Sequence, residues 1–308
     1  MIDVRDLRVD YDDVCAVNDL TFSVSAGEIY GLIGPNGAGK TTTLRTMMGL
    51  QEPTYGDILL NGIDLATHRE DAIASVGFMP DYSPIYDDLT VWEYLDLFAA
   101  SYYVPIDRRK PTIEKYLEMV DLTEKRTAMT TGLSRGMKQR LMLAKTLLPE
   151  PKIVLLDEPA SGMDPHARIL LRNILRQLGE EGRAVLISSH ILAELSEFCT
   201  SIGVMERGRM VISGRVDEVA ERVLGQAEVC LEILAGHAQC EKILAADERV
   251  NALRSQGNSF SFLLTGNEED ASDILAALVK ADVRVVSFGR KKEDLEEVFM
   301  KIGAKEVA

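Results

Sequence analysis

Three places in the chain combine residue type and spacing in a way that implies chemistry on phosphates. Gly34-Pro35-Asn36-Gly37-Ala38-Gly39-Lys40-Thr41 satisfies G-x-x-x-x-G-K-[ST], a glycine-rich turn whose backbone N–H groups curl around a phosphate. Lys40 is expected at the β- and γ-phosphates of a nucleotide, Thr41 on Mg²⁺ and Thr42 on the α-phosphate side. Such a loop needs a carboxylate for the metal and a group to activate water. Asp157-Glu158, at the end of the apolar run Ile153 to Leu156, supplies both. Asp157 is expected to act on Mg²⁺ indirectly, from behind its directly bound ligands, and Glu158 to polarise the attacking water as general base. His190 ends the run "AVLISSH". A lone histidine commonly has a structural role, but this position also suits a γ-phosphate contact.

These side chains must be held by particular elements. "EIYGLIGPNGAGKTTTLRTMMGL" reads as a short strand from Ile29 to Ile33, the turn, then a helix with Leu44, Met47 and Met48 on its apolar side. The run Ile153 to Leu156 has the texture of a strand buried on both faces of a parallel sheet, and ligands bind beyond the carboxyl ends of such strands. Further on, "LSRGMKQRL" contains no group able to run chemistry alone. Ser134 is suited to cap a helix continued by Leu141, Leu143, Leu147 and Leu148. In "LTVWEYLDLFAASYY", Leu89, Trp92, Leu95 and Phe98 or Ala99 repeat at three- and four-residue spacing, the pattern of an amphipathic helix.

Taken in order, these motifs resemble the nucleotide-binding subunit of ATP-binding cassette (ABC) transporters. Tyr11 stands where that family stacks an aromatic ring on adenine, followed by the phosphate loop Gly34 to Thr42 and by Asp81 in "GFMPDYSP" at the glutamine-loop position. "LSRGM", "IVLLDE", "SGMD" and His190 complete the set. The resemblance covers roughly residues 2 to 220. It implies ATP and Mg²⁺ as ligands and an α/β core with a mixed sheet. A helical subdomain at about 82–150 would meet a separate membrane-spanning permease, with Tyr82 and Tyr86 as candidate contacts. It also implies two cassettes facing head to tail. "LSRGM" would then close on the partner's ATP through the Ser134 hydroxyl and the Gly136 N–H, at a helix N-terminus that favours anions. Three residues depart from the family pattern. Arg135 replaces a glycine and either reaches phosphate or faces solvent. Met137 replaces a glutamine, and Asp81 has a shorter arm that cannot donate when ionised.

After Gly225 the texture becomes strand, helix, two strands, helix, strand, the order of a ferredoxin-like α+β unit, with a further helix at "KEDLEEVFMKIG". The expected division is therefore an ATPase domain at 1–224 and a small domain at 225–308, resembling the extension carried by some export-type ATPases. It either regulates, supports dimer contact or packs inertly. A chain of 308 residues, 46% hydrophobic, accommodates two such cores. No stretch approaches the ~18 apolar residues of a membrane span, so membrane attachment is expected only through a partner, at the cytoplasmic face of the cell membrane. A net charge of −15 opposes nonspecific nucleic-acid binding. Cys15, Cys199, Cys230 and Cys240 lack metal or redox spacing and are expected to be reduced and mostly buried. A soluble cassette protein acting on ribosomes or DNA is the rival reading. Such proteins carry two cassettes or long coiled coils, and neither occurs here.

Overall fold

A computed structural model describes residues 1–191, 195, 198–216, 218, 219, 227–266 and 268–290. The chain separates into two compact units, Met1–Val216 and Asp217–Ala308. The boundary expected between 224 and 225 and the helix expected at 292–303 lie outside the described residues.

Among the described residues, the first unit holds ten strands: β1 (Ile2–Tyr11), β2 (Val14–Val24), β3 (Ile29–Ile33), β4 (Tyr55–Leu60), β5 (Ile63–Asp64), β6 (Val76–Met79), β7 (Ile153–Asp157), β8 (Ala184–Ser189), β9 (Ser201–Glu206) and β10 (Arg209–Arg215). They form an antiparallel sheet in the order β2-β1-β4-β5 and a larger sheet in the order β10-β9-β3-β8-β7-β6. From β9 to β6 the larger sheet is parallel, and β10 pairs antiparallel at its edge. Every residue of β3, β7 and β8 is buried, which is why these strands read as unbroken apolar runs. The inward residues of β2 alternate with exposed ones, as expected of a sheet with one wet face.

Helix α1 (Lys40–Met47) follows β3, α2 (Arg69–Ile73) precedes β6, and α6 (Pro165–Glu180) connects β7 to β8. Between β6 and β7 the chain inserts α3 (Val91–Ser101), α4 (Ile106–Met119) and α5 (Arg135–Leu147), which pack on one another. A capping box starts α3: the Thr90 N–H donates to Glu93 Oε2 at 2.8 Å and the Glu93 N–H donates to Thr90 Oγ1 at 3.2 Å. This start places Val91, Tyr94, Leu95 and Ala99 on the buried stripe. Of the expected apolar set, Leu89 precedes the helix and Trp92 is only half-buried, so the packed face is turned by about one residue from the expected one.

The second unit runs β11 (Ala227–Ala235), α7 (His237–Ala246), β12 (Val250–Gln256), β13 (Ser259–Leu264), α8 (Glu268–Lys280) and β14 (Arg284–Arg290). Its sheet is antiparallel in the order β12-β13-β11-β14, the topology of a ferredoxin-like split unit. Val229, Leu231, Ile233, Phe260 and Phe262 pack with Leu244 and Cys240 of α7 and with Ile274 and Leu278 of α8. The alternate residues Cys230, Glu232 and Leu234 are exposed. All four cysteines are free thiols, but only Cys199 and Cys240 are buried. Cys15 is half-buried and Cys230 exposed, because strand alternation sends Cys230 to the face opposite the helices. Among the described residues, no helix is long and apolar enough to cross a membrane.

Candidate active site

The site begins where β3 leaves the sheet. Gly39, the residue before α1, has φ of 101°, and a Cβ there would stand 2.4 Å from the Ala16 carbonyl oxygen, so no other residue fits without displacing β2. The Thr43 hydroxyl donates to Gly39 O at 2.9 Å and fixes the first turn of α1. Lys40 is 6% exposed and folds back over its own loop: Nζ donates to Gly34 O at 2.7 Å and to Pro35 O at 3.2 Å, and lies 3.7 Å from Glu158 Oε1. Burial lowers the Lys40 pKa, opposed by the attraction of Glu158 and Asp157. The ammonium is thus a desolvated cation held by two loop carbonyls with a carboxylate 3.7 Å away, and the carbonyls are ligands it can exchange for phosphate oxygens.

At the end of β7, Asp157 is 1% exposed and accepts the Ser188 hydroxyl of β8. The Glu158 N–H donates to Ser188 O at 3.2 Å and to Ser188 Oγ at 3.0 Å. Glu158 has φ of 48°, a left-handed conformation that costs a non-glycine residue about 1–2 kcal/mol. That twist turns its carboxylate toward α1, where Oε2 lies 2.8 Å from His190 Nδ1. A carboxylate only accepts, so Nδ1 carries the proton of this pair. One acid therefore bridges Lys40 and His190.

Ser188 has no place in the motif reading. The signal for it is the parallel register, which sets Asp157 against Ser188. Replacing it (Ser188→Ala) is expected to lower folding stability by about 1–3 kcal/mol in urea unfolding, because the buried Asp157 carboxylate loses its hydroxyl donor. An unchanged unfolding midpoint would show that the pair contributes nothing.

These groups border a cleft of about 610 Å³, lined by Asn36 to Thr42, Glu158 and His190, with Tyr11 and Asp81 also on the wall. Tyr11 is 40% exposed, leaving its ring available for stacking. Asp157 lies behind the wall, and Ser134 and Gly136 are not part of the lining. Ser134 caps α5 instead, its Oγ accepting the Met137 N–H at 3.3 Å, and a Cβ at Gly136 would meet nothing nearer than Asp164 Oδ2 at 3.9 Å. Arg135 is exposed and does not line this cleft, and its Nη2 donates to Ser161 Oγ at 3.4 Å. Its guanidinium packs where a Cβ on Gly162 would lie, at φ of 72°. Ser161 does line the cleft, so α5 is tied to the wall through that contact. A second cleft of about 500 Å³ shares Asp81 and is bordered by Tyr82, Asp87, Arg135 and Lys138.

Comparison with known proteins places this geometry. A family model described as ABC transporter matches residues 17–161. The Nod factor export ATP-binding protein I of Burkholderia orbicola (strain AU 1054) is 38% identical over 224 residues, 73% of this chain and 74% of that protein. Its counterpart in Rhizobium meliloti (strain 1021) is 32% identical over 307 residues, 99% of this chain and 89% of that protein. A solved structure of an ATP-binding subunit of an ABC transporter is 33% identical with a TM-score of 0.67, covering 73% of this chain and 93% of that one. With a relative matched along nearly its whole length and a phosphate loop facing a strand-end carboxylate, the chain belongs to the ABC transporter family, as one of its ATP-binding ATPase subunits.

Proposed function

We propose that two copies of this subunit, or one copy and a homologous cassette, close head to tail on ATP and reopen on its hydrolysis, driving a separate membrane-spanning permease of export type. The observation that carries this reading is the separation of Ser134 and Gly136 from the cleft holding Lys40, Glu158 and His190. A serine hydroxyl and a first-turn N–H at the start of α5 make an anion site with no phosphate of its own to bind, which a partner's γ-phosphate would occupy. The Arg135 contact to Ser161 supports coupling, since closure felt at α5 is passed to the wall of the same chain's cleft. Such coupling is a population shift between open and closed dimers.

Within one cleft, Tyr11 stacks on adenine and Gly34 to Gly39 wrap the phosphates with backbone N–H groups. Lys40 gives up the Gly34 and Pro35 carbonyls for the β- and γ-phosphates, and Thr42 bonds the α-phosphate side. The Thr41 hydroxyl and Asp81 carboxylate on the cleft wall, with Asp157 behind, form an oxygen donor set that fits Mg²⁺. When bound, Mg²⁺ neutralises charge that develops on the phosphates. Glu158 takes the proton of the attacking water, and His190, bonded to its Oε2, orients it and faces the γ-phosphate.

Export is supported by the relatives named for Nod factor export, and the cargo is set by the permease. Tyr82, 82% exposed on the wall of the second cleft, and Tyr86, 57% exposed, are the candidate permease contacts. On this reading the subunit works at the cytoplasmic face of the membrane, and its net charge of −15 opposes a nucleic-acid partner. The test is a pull-down of tagged Glu158→Gln from detergent-solubilised native membranes with and without Mg-ATP. A multi-span membrane protein in stoichiometric amount is the expected capture. Ribosomal or DNA-bound partners without one would overturn the proposal in favour of a soluble cassette protein.

A further inference from the structure

One cation on the wall of the nucleotide cleft is unused by the reading above. Arg207 lines the cleft from the turn between β9 and β10, far from every phosphate motif in sequence. Both central residues of that turn, Arg207 and Gly208, are left-handed, with φ of 47° and 82°. Two-residue hairpins of this kind favour Asn-Gly, and arginine pays a backbone cost at the first position. The turn is nevertheless clamped from two sides. The Gly208 N–H donates to Ala38 O in the phosphate loop at 3.1 Å, and Gly208 O accepts the Asn18 N–H at 2.8 Å. A Cβ on Gly208 would stand 2.9 Å from Ala16 O, so the turn is pressed against β2. The Arg207 side chain is 87% exposed and, among the described residues, approaches an acid only at Glu206, at 3.9 Å. It is an exposed guanidinium on a strained turn, beside a loop built for phosphate.

We infer that Arg207 binds the nucleotide, with its guanidinium on the α-phosphate. The inference rests on the ATP reading of the cleft. The position along the nucleotide follows from strand order. β3 lies between β8 and β9, with Ile33 beside Ser189 on one side and Val204 on the other. The phosphate loop that leaves β3 is therefore flanked by His190 on one side and by the Arg207 turn on the other. Lys40, Glu158 and His190 gather at the γ-phosphate end. The turn bearing Arg207 rests instead on Ala38 of the loop and on Ala16 of β2, which lines the cleft together with Tyr11, Val14 and Cys15. A flexible forked donor there meets the α-phosphate, one of the two phosphates that ATP and ADP hold at the same distance from the base.

The test is calorimetric titration of the full chain with ATP, ADP and adenosine, comparing wild type, Arg207→Asn, Arg207→Lys and Lys40→Ala. Asparagine suits the left-handed position, so Arg207→Asn is expected to keep or raise the melting temperature, which separates binding from folding. It should weaken ATP and ADP equally, by about fivefold for a solvent-exposed charge contact, leave adenosine unchanged, and be partly rescued by Arg207→Lys. Unchanged ATP affinity in Arg207→Asn, with ATP binding lost in Lys40→Ala, would overturn this inference and leave the phosphate-loop reading intact. A loss for ATP but not ADP, or an equal loss for adenosine, would also overturn it by placing the contact elsewhere on the nucleotide. Undiminished ATP binding in Lys40→Ala would bring down the reading of the cleft itself, and the role of Arg207 with it.

Discussion

Glu158→Gln is expected to slow ATP hydrolysis by about 10²–10⁴-fold while ATP binds as before. The substitution is nearly isosteric and leaves the backbone untouched, so the cost of φ at 48° is carried equally by both side chains. It removes the carboxylate that lies closest to Lys40 beside the phosphate loop, within 3.7 Å. In the wild-type cleft that carboxylate lies 3.7 Å from Lys40 Nζ and 2.8 Å from His190 Nδ1, so a glutamine keeps the shape and loses the basicity. In the proposed cycle binding and closure precede the chemical step, so the variant should accumulate as an ATP-bound closed dimer. Single-turnover hydrolysis and size-exclusion chromatography with Mg-ATP measure the two effects together. Wild-type turnover in Glu158→Gln would remove it from the role of base and leave His190 as the candidate.

Lys40→Ala acts one step earlier and should weaken ATP binding by about 10²–10³-fold, since it deletes charge-assisted bonds to two phosphates. Lys40 Nζ donates to Gly34 O and Pro35 O. Both are loop carbonyls that are expected to take up solvent when the side chain is gone, so folding should suffer far less than binding. Equilibrium titration with ATP, alongside a thermal melt, separates these effects. Tight ATP binding retained by Lys40→Ala would contradict the phosphate-loop assignment. The contrast between the two variants is the sharper result: one loses turnover with ATP bound, and the other loses the ATP.

How far the site was readable depended on the distance between interacting groups along the chain. The loop from Gly34 to Thr41 is a local device: its glycines, its helix start and its lysine lie within eight consecutive residues, and backbone sterics restrict what those residues can do. The buried strands β3 and β7 were equally plain, because a strand covered on both faces must be apolar throughout. The turn of α3 by one residue was not, since periodicity defines a stripe only to within the residue at which a cap starts the helix. Arg135 is a harder case. Its neighbours in sequence left phosphate and solvent open, and the contact to Ser161 exists only because α5 and the turn after β7 are brought together by the fold.

The sequence by itself determined the phosphate loop, the acid pair Asp157-Glu158, the position of His190 beyond a buried strand, and a two-part α/β and α+β chain. Each of these is encoded by short-range spacing or by the polarity of a single element. The tertiary structure alone decided that Ser188 holds both Asp157 and the Glu158 backbone, and that Glu158 bridges Lys40 and His190. It also decided that Arg207 reaches the cleft from the far side of β3. The physical reason is the parallel sheet. Its strand order β9-β3-β8-β7 sets side by side the ends of segments separated by many tens of residues, and a hydrogen-bonded register that no local pattern records then selects which side chains meet.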